Sequence, residues 1–376
     1  MQAHARDKSD LRQWLASALL AGSVPADLHG VPMADWLDCA RREGVVPLLE
    51  DRLRHAVAGD ALPAGFREAL TVAAREALML DMYRSHELRR VGGVLADANL
   101  RVLVLKGNAL GLWLYARSQL RVTRDIDLLF ASREDVERAV ALLARHGYQP
   151  EPDPGKFFFE RKCKLLVDGA SRGELDLHCK LLNTPIFGDV ISFDELWQDA
   201  MPLPGLPRCV QGLSPVHALV HACLNRALDL AAGEPDPLKL HYDVHLLAAR
   251  LDAEAWLRFS VLVRERHICG ACVRMFSETT QAFGTRFPEP LLAQLRACSL
   301  DEPLDWQRLQ DWRYMQWRSF LALPHWGDRL HWLYERMFPT PSRVQGRYGD
   351  GRRLPLLLRR FRRGLELLFK RTEGQG

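Results

Sequence analysis

The sequence predicts an α+β protein: a mixed sheet with helices on one side, held between an N-terminal and a C-terminal helical region. Three observations predict it. Apolar residues recur at helical spacing over 1–100 and again over 206–340. Residues 101–205 instead carry short apolar runs and strict alternation, the period of strands. Residues 341–376 form a basic amphipathic tail of different character.

Ser9 or Asp10 can cap a first helix whose inward residues are Leu11, Trp14, Leu15, Ala18 and Leu19, and Met33 can open another through Trp36, Leu37 and Ala40. After Pro63 a long pattern runs from Phe66 through Leu70, Ala73, Leu88 and Val91 to Leu95, and it ends near Asn99. The chain then becomes a strand over 102–105, breaks at Lys106 and Gly107, and resumes helical spacing at Leu110, Leu112, Leu114 and Tyr115. A second strand covers 125–130. In it Asp125 and Asp127 project from one face, while Ile126 and Leu128 enter the opposite layer.

Ser132 caps the next helix, with Glu134 and Asp135 in its first turn and a stop at His146 and Gly147. Residues 157–159 and 164–167 read as two strands joined by a basic stretch. Over 173–181 the alternation is strict, putting Glu174, Asp176, His178 and Lys180 on one face and Leu175, Leu177, Cys179 and Leu181 on the other. The proline- and glycine-rich segment 203–207 marks a boundary, and Leu213, Ser214 and Pro215 start the second helical region, with helices over 216–230, 239–250, 254–266 and 271–283 and Trp-rich segments to about 337.

With 376 residues, 48% hydrophobic and 26% charged, the composition is that of a folded globular chain and excludes general disorder. Eight scattered cysteines lack the spacing of a disulfide framework and read as thiols of a reducing compartment. The lone Cys269 and Cys272 pair has no second pair to complete a zinc site, so buried helix cysteines are the expectation. The apolar run near the N-terminus is interrupted by Asp7 and Asp10 on its charged side and has no clean cleavage site, which argues against export. No stretch approaches the ~20 apolar residues of a membrane span. The expected location is cytoplasmic, with a peripheral attachment to the inner membrane through the tail as an option.

Paired carboxylates at the edge of a core repel each other and need cations. Two on one strand and a third, Asp176, on a neighbouring strand can hold two divalent ions that clamp the attacking and leaving oxygens of a phosphoryl displacement. Gly107 and Asn108, in a turn that opens a helix, can offer backbone N–H groups to phosphate.

The set formed by Leu105, Lys106 and Gly107, then Tyr115, Arg121, the run 125–129, Gly147 with Tyr148, and Asp176 with Leu177 and His178 resembles the bacterial "uncharacterised nucleotidyltransferase" family of the DNA polymerase β-like superfamily. The similarity extends to the flanks, at 36–49, at 213–221 and at 240–243. The resemblance implies a polymerase β-like palm over 101–205. It implies a Mg²⁺-dependent enzyme, with Mn²⁺ as an option, that transfers a nucleoside monophosphate from an NTP, ATP included, to a hydroxyl or phosphate of an unidentified acceptor and releases pyrophosphate. Asp125, Asp127 and Asp176 would hold two metal ions, and Asp176 would help deprotonate the acceptor. Lys106, Gly107, Asn108, Arg121 and Arg124 would bind the nucleotide. Lys106 departs from the superfamily's usual Gly-Ser or Gly-Gly turn, so it either reaches the triphosphate or balances the acids beside it.

A different class of reading is a non-catalytic, antitoxin-like scaffold that binds a partner. Small-molecule, glycan, peptide and protein acceptors all remain open, and nucleic acid is not indicated. In the tail, Leu354, Leu357, Leu358, Phe361, Leu365 and Leu368 share a helical stripe flanked by arginines and lysines over 352–371, a pattern suited to an anionic membrane surface, to a nucleic-acid contact or to simple docking with a solvated basic face.

Overall fold

The computed structural model describes residues 8–21, 32–54, 65–167 and 170–338. The amphipathic pattern over 352–371 and the first seven residues lie outside the described residues.

Four helices lead in: α1 (Lys8–Ala21), α2 (Met33–Arg42), α3 (Val46–Arg54) and the 32-residue α4 (Phe66–Asp97). The palm follows as β1 (Val102–Val104), α5 (Lys106–Trp113), β2 (Ile126–Phe130), α6 (Arg133–Arg145), β3 (Tyr148–Pro150), β4 (Glu160–Val167), β5 (Ala170–His178), α7 (Phe193–Gln198), β6 (Met201–Pro202) and β7 (Val210–Gly212). Seven helices complete the described residues: α8 (Pro215–Ala231), α9 (Leu238–Ala248), α10 (Ala253–Glu265), α11 (Cys269–Phe283), α12 (Glu289–Leu300), α13 (Trp312–Ala322) and α14 (Trp326–Met337). No described helix is long and apolar enough to cross a membrane.

The seven strands form one mixed sheet in the order β3-β4-β5-β2-β1-β7-β6. Alternation along the strands decides what each face meets. Val102, Val104, Ile126, Leu128, Phe130, Leu175 and Leu177 pack with Leu88, Val91 and Leu95 of α4 and with Val136, Ala139 and Leu143 of α6. Leu103, Leu105 and Leu129 point the other way, into a larger core built with α1 to α3 and α8 to α12. Helices α4 and α6 therefore lie on one side, and the helical regions close over part of the other. Asp125, Asp127 and Asp176 take the parity of Leu129, so they sit on the face that looks toward the helical region.

Local chemistry explains the sharp boundaries. The Ser132 hydroxyl accepts the Asp135 N–H at 3.1 Å and starts α6, and Gly147, at φ +90°, ends the turn after it. Ser214 with Pro215 opens α8.

Two expectations change. The basic stretch between residues 157–159 and 164–167 is no connector: β4 runs straight through it, and Phe157, Phe158 and Phe159 precede the strand. Arg161 and Lys164 resemble loop residues in composition, but pairing across both edges of β4 carries them. The sheet also continues past the proline-rich segment near 205, because β7 pairs in parallel with β1, placing Val102 opposite Val210.

Candidate active site

Parallel pairing of β2 with β5 sets Asp127 directly opposite Asp176. Asp125 lies one residue before β2, on the same face. Asp127 is 1% exposed, and it is held by two neighbours: the Lys106 ammonium donates to its Oδ1 at 2.7 Å, and His178 Nε2 lies 3.1 Å from the same oxygen. Burial opposes its charge, but Lys106 and His178 hold the carboxyl far below the usual range.

Asp176 is served from β4. Lys162 Nζ lies 3.1 Å from both of its oxygens, 3.0 Å from Glu174 Oε1 and 3.3 Å from Glu160 Oε1. Burial, reinforced by the Glu160 charge, pushes the Asp176 carboxyl up to about 7. Burial and then Asp127 also raise Asp125.

From the helical side, α8 presents His221, Asn225 and Asp229, spaced four apart and hence stacked on one face. His221 is 3% exposed with an unpartnered Nε2, and burial followed by the Lys106 charge depresses it to about 3. Asp229, hydrogen-bonded by Asn225 at 2.8 Å, is pushed up to about 6 by burial against the pull of Lys106. The face thus gathers Asp125, Asp127, Asp176, Glu160, Glu174 and Asp229 around the two ammonium groups of Lys106 and Lys162. Such an excess of hard oxygen donors suits a divalent cation. Carboxylate oxygens are the donor class that divalent cations take, and here Asp127 and Asp176 are each already paired with an ammonium group, Lys106 and Lys162.

The turn at the start of α5 is shaped by crowding. A Cβ at Gly107 would meet Thr123 Cγ2 at 2.7 Å and Arg121 Nη1 at 2.8 Å, so glycine alone fits. Lys106 adopts φ +53°, an unusual conformation for lysine, and thereby aims its chain at Asp127. The Asn108 amide donates to the Asp125 carbonyl at 2.6 Å, and its oxygen accepts from Thr123 at 3.3 Å. Its side chain is a staple between α5 and the approach to β2. What the turn offers a phosphate is its first N–H groups, which have no intrahelical acceptor.

Arg121 corrects the sequence expectation. Its guanidinium is 4% exposed and grips Asp243 of α9 through Nε at 2.8 Å and Nη2 at 2.6 Å, while the Tyr115 hydroxyl donates to the same carboxylate at 2.6 Å. With its planar fork filled, Arg121 clamps the palm to the helical region and has no free edge for a triphosphate. Arg124 lies exposed beside Asp125. Its carbonyl accepts from Arg84 Nε at 3.1 Å, and Lys239 of α9 reaches the Val122 carbonyl at 3.4 Å. Among the described residues none of Arg84, Arg124 and Lys239 forms a salt bridge with a carboxylate. The Arg84 Nη1 is buried without a partner. Burial and the nearby Arg121 charge draw Lys239 down to about 8.

Lys162, Arg84, Lys239, Asn225 and Asp229 were not singled out from sequence. The signal for α8 was legible: polar residues four apart on an otherwise apolar helix. For Lys162 it was not, because its strand was read as a connector.

Elsewhere, Asp236, His241 and Glu278 converge, as do Cys269, Cys298 and Glu302. The first group is an ion network centred on Arg226, which pairs with both Asp236 and Glu278. In the second, Glu302 accepts the N–H groups of Cys269 and Gly270 and the Trp306 indole N–H, so it caps α11. All eight cysteines are free thiols.

A protein-family model described as "Uncharacterised nucleotidyltransferase" matches residues 30–282, a span holding every residue of the acidic face and of the Arg121 clamp. No curated protein and no solved structure matches the chain.

Proposed function

This chain belongs to the uncharacterised nucleotidyltransferase family, and from that premise we propose that it moves a nucleoside monophosphate from an NTP to a hydroxyl or phosphate oxygen of an acceptor and releases pyrophosphate. The observation that carries the reading is the convergence of Asp125, Asp127 and Asp176 on one sheet face beside the N-terminus of α5.

Asp125, Asp127 and Asp176 would hold the divalent ions, which when bound supply charge stabilisation to the transferring phosphoryl group. The first N–H groups of α5 receive phosphate oxygens. Arg124, Arg84 and Lys239, cations without carboxylate partners at the edge of the acidic face, replace Arg121 as the side chains for the triphosphate. Asp176, across from Asp127 on the neighbouring strand, is placed to help take the acceptor's proton as the acceptor oxygen bonds to the α-phosphorus and the bond to the leaving pyrophosphate breaks.

A second reading is favoured by one observation: Asp127 and Asp176 already have internal counter-ions, as an acidic face retained only for structure would. That reading makes the chain a partner-binding scaffold. Calorimetric titration with a non-hydrolysable NTP, with and without Mg²⁺, separates the two. Metal-dependent binding that disappears in Asp125→Asn/Asp127→Asn supports the transferase, and no binding by a folded native chain refutes it.

A further inference from the structure

α14 is amphipathic in the reverse of the usual sense. Its polar residues face the palm: Asp328 accepts from Lys156 Nζ at 2.6 Å, and Glu335 accepts the Lys156 backbone N–H at 2.6 Å. One apolar residue, Trp332, is buried on that side among Phe157 and Leu323. Trp326, Leu330, Leu333 and Met337, at positions i, i+4, i+7 and i+11, form a stripe that faces outward. Trp326 is 68% exposed and Leu330 63%.

Trp317 and Leu321 of α13 extend the exposed apolar area. Of the 18 large hydrophobic residues exposed among the described residues, half fall within 312–338, so the patch is concentrated. Its chemistry is interfacial, because indole rings combine apolar bodies with a polar edge and guanidinium groups lie against them. The Arg329 guanidinium sits 5.0 Å from the Trp326 ring centre.

The charge along the chain says what covers this face. The described residues end at Phe338, on the patch, and the 38 residues beyond contain ten arginines and lysines against three acidic residues. A cationic segment continuous with an exposed tryptophan-leucine stripe complements an anionic lipid surface. We propose that the outward face of α13 and α14 is a docking surface for an anionic phospholipid bilayer, with the aromatic stripe entering the headgroup layer and Arg329 beside Trp326 available to lipid phosphates. The surface is separate from the acidic face and stands independently of the transfer reaction.

The test uses the full chain and flotation with vesicles of phosphatidylcholine alone or mixed with phosphatidylglycerol. Binding is expected only to the anionic vesicles, falling with added salt, and to weaken roughly tenfold or more in Trp326→Glu/Leu330→Glu. Leu257→Glu, at an exposed leucine of α10, serves as the control and is expected to bind as the native chain does. If the glutamate pair lowers the melting temperature, Trp326→Ser/Leu330→Ser takes its place. The proposal is overturned if the native chain ignores anionic vesicles. It is also overturned if the variant binds like the native chain and only removal of 341–376 abolishes binding. Sedimentation equilibrium supplies the remaining outcome: a native dimer that the variant splits without change in vesicle binding assigns the face to a second copy.

Discussion

Lys106 is where local strain and charge meet. A left-handed lysine costs on the order of 1–3 kcal/mol, and the return is an ammonium 2.7 Å from a carboxylate with 1% exposure. Lys106→Met should therefore lower the melting temperature in EDTA, because Asp127 loses a counter-ion. Added Mg²⁺ should recover more of that loss than it adds to the native chain. Equal Mg²⁺ shifts in both proteins would count against Asp127 as a metal holder. A second residue, Asp81 of α4, is 5% exposed in a small cavity with Ser85, Asn108 and Arg121, and burial pushes its carboxyl up to about 6. A raised carboxyl keeps its proton longer in the folded chain, so its destabilisation is absent below about 3.8, grows as pH rises, and is complete above about 6. Asp81→Asn should thus stabilise the protein by on the order of 2 kcal/mol at pH 7.5 and leave it unchanged near pH 3.5. Thermal melts at the two pH values decide this, and an equal effect at both contradicts it.

At the scale of elements, one buried ionic link between palm and helical region is the Arg121–Asp243 pair, with side chains 5% and 4% exposed. Removing one partner leaves a buried charge, so Asp243→Ala should cost about 3–5 kcal/mol in urea unfolding, while Arg121→Met/Asp243→Leu should restore part of it. If Arg121→Met alone left stability intact and weakened NTP binding, the triphosphate role first read from sequence would return. Sequence carried the elements whose signals are local: the Ser132 cap, the Gly147 stop, the alternation around Asp176 and the parity of Asp125 with Asp127. It did not carry β4, because strand pairing on both edges overrode a basic composition, nor β7, whose three residues are fixed by the neighbouring β1. The Arg121 role was illegible for a related reason. Its partner is 122 residues away, and only tertiary packing reveals that the guanidinium is already engaged.

For the whole molecule, the expected division at 100, 205 and 340 describes character better than independence. The sheet extends to Gly212, and Leu103, Leu105 and Leu129 belong to the core of the helical region. A fragment spanning 101–212 is accordingly expected to show no cooperative melting transition, whereas 8–338 should retain one; calorimetry of the two fragments checks this. The same core has a consequence for synthesis. Leu15 and Leu19 of α1 share it with Met275 and Phe276 of α11, and Arg12 Nη2 donates to the Asp236 carbonyl at 2.8 Å. At translation rates of roughly 5–20 residues per second, the first helix waits on the order of 10–50 s on the ribosome before its far partner emerges. Throughout that interval its tryptophan and leucine face has nothing of its own chain's distant half to cover it, so the last part of this core closes only when α11 has emerged.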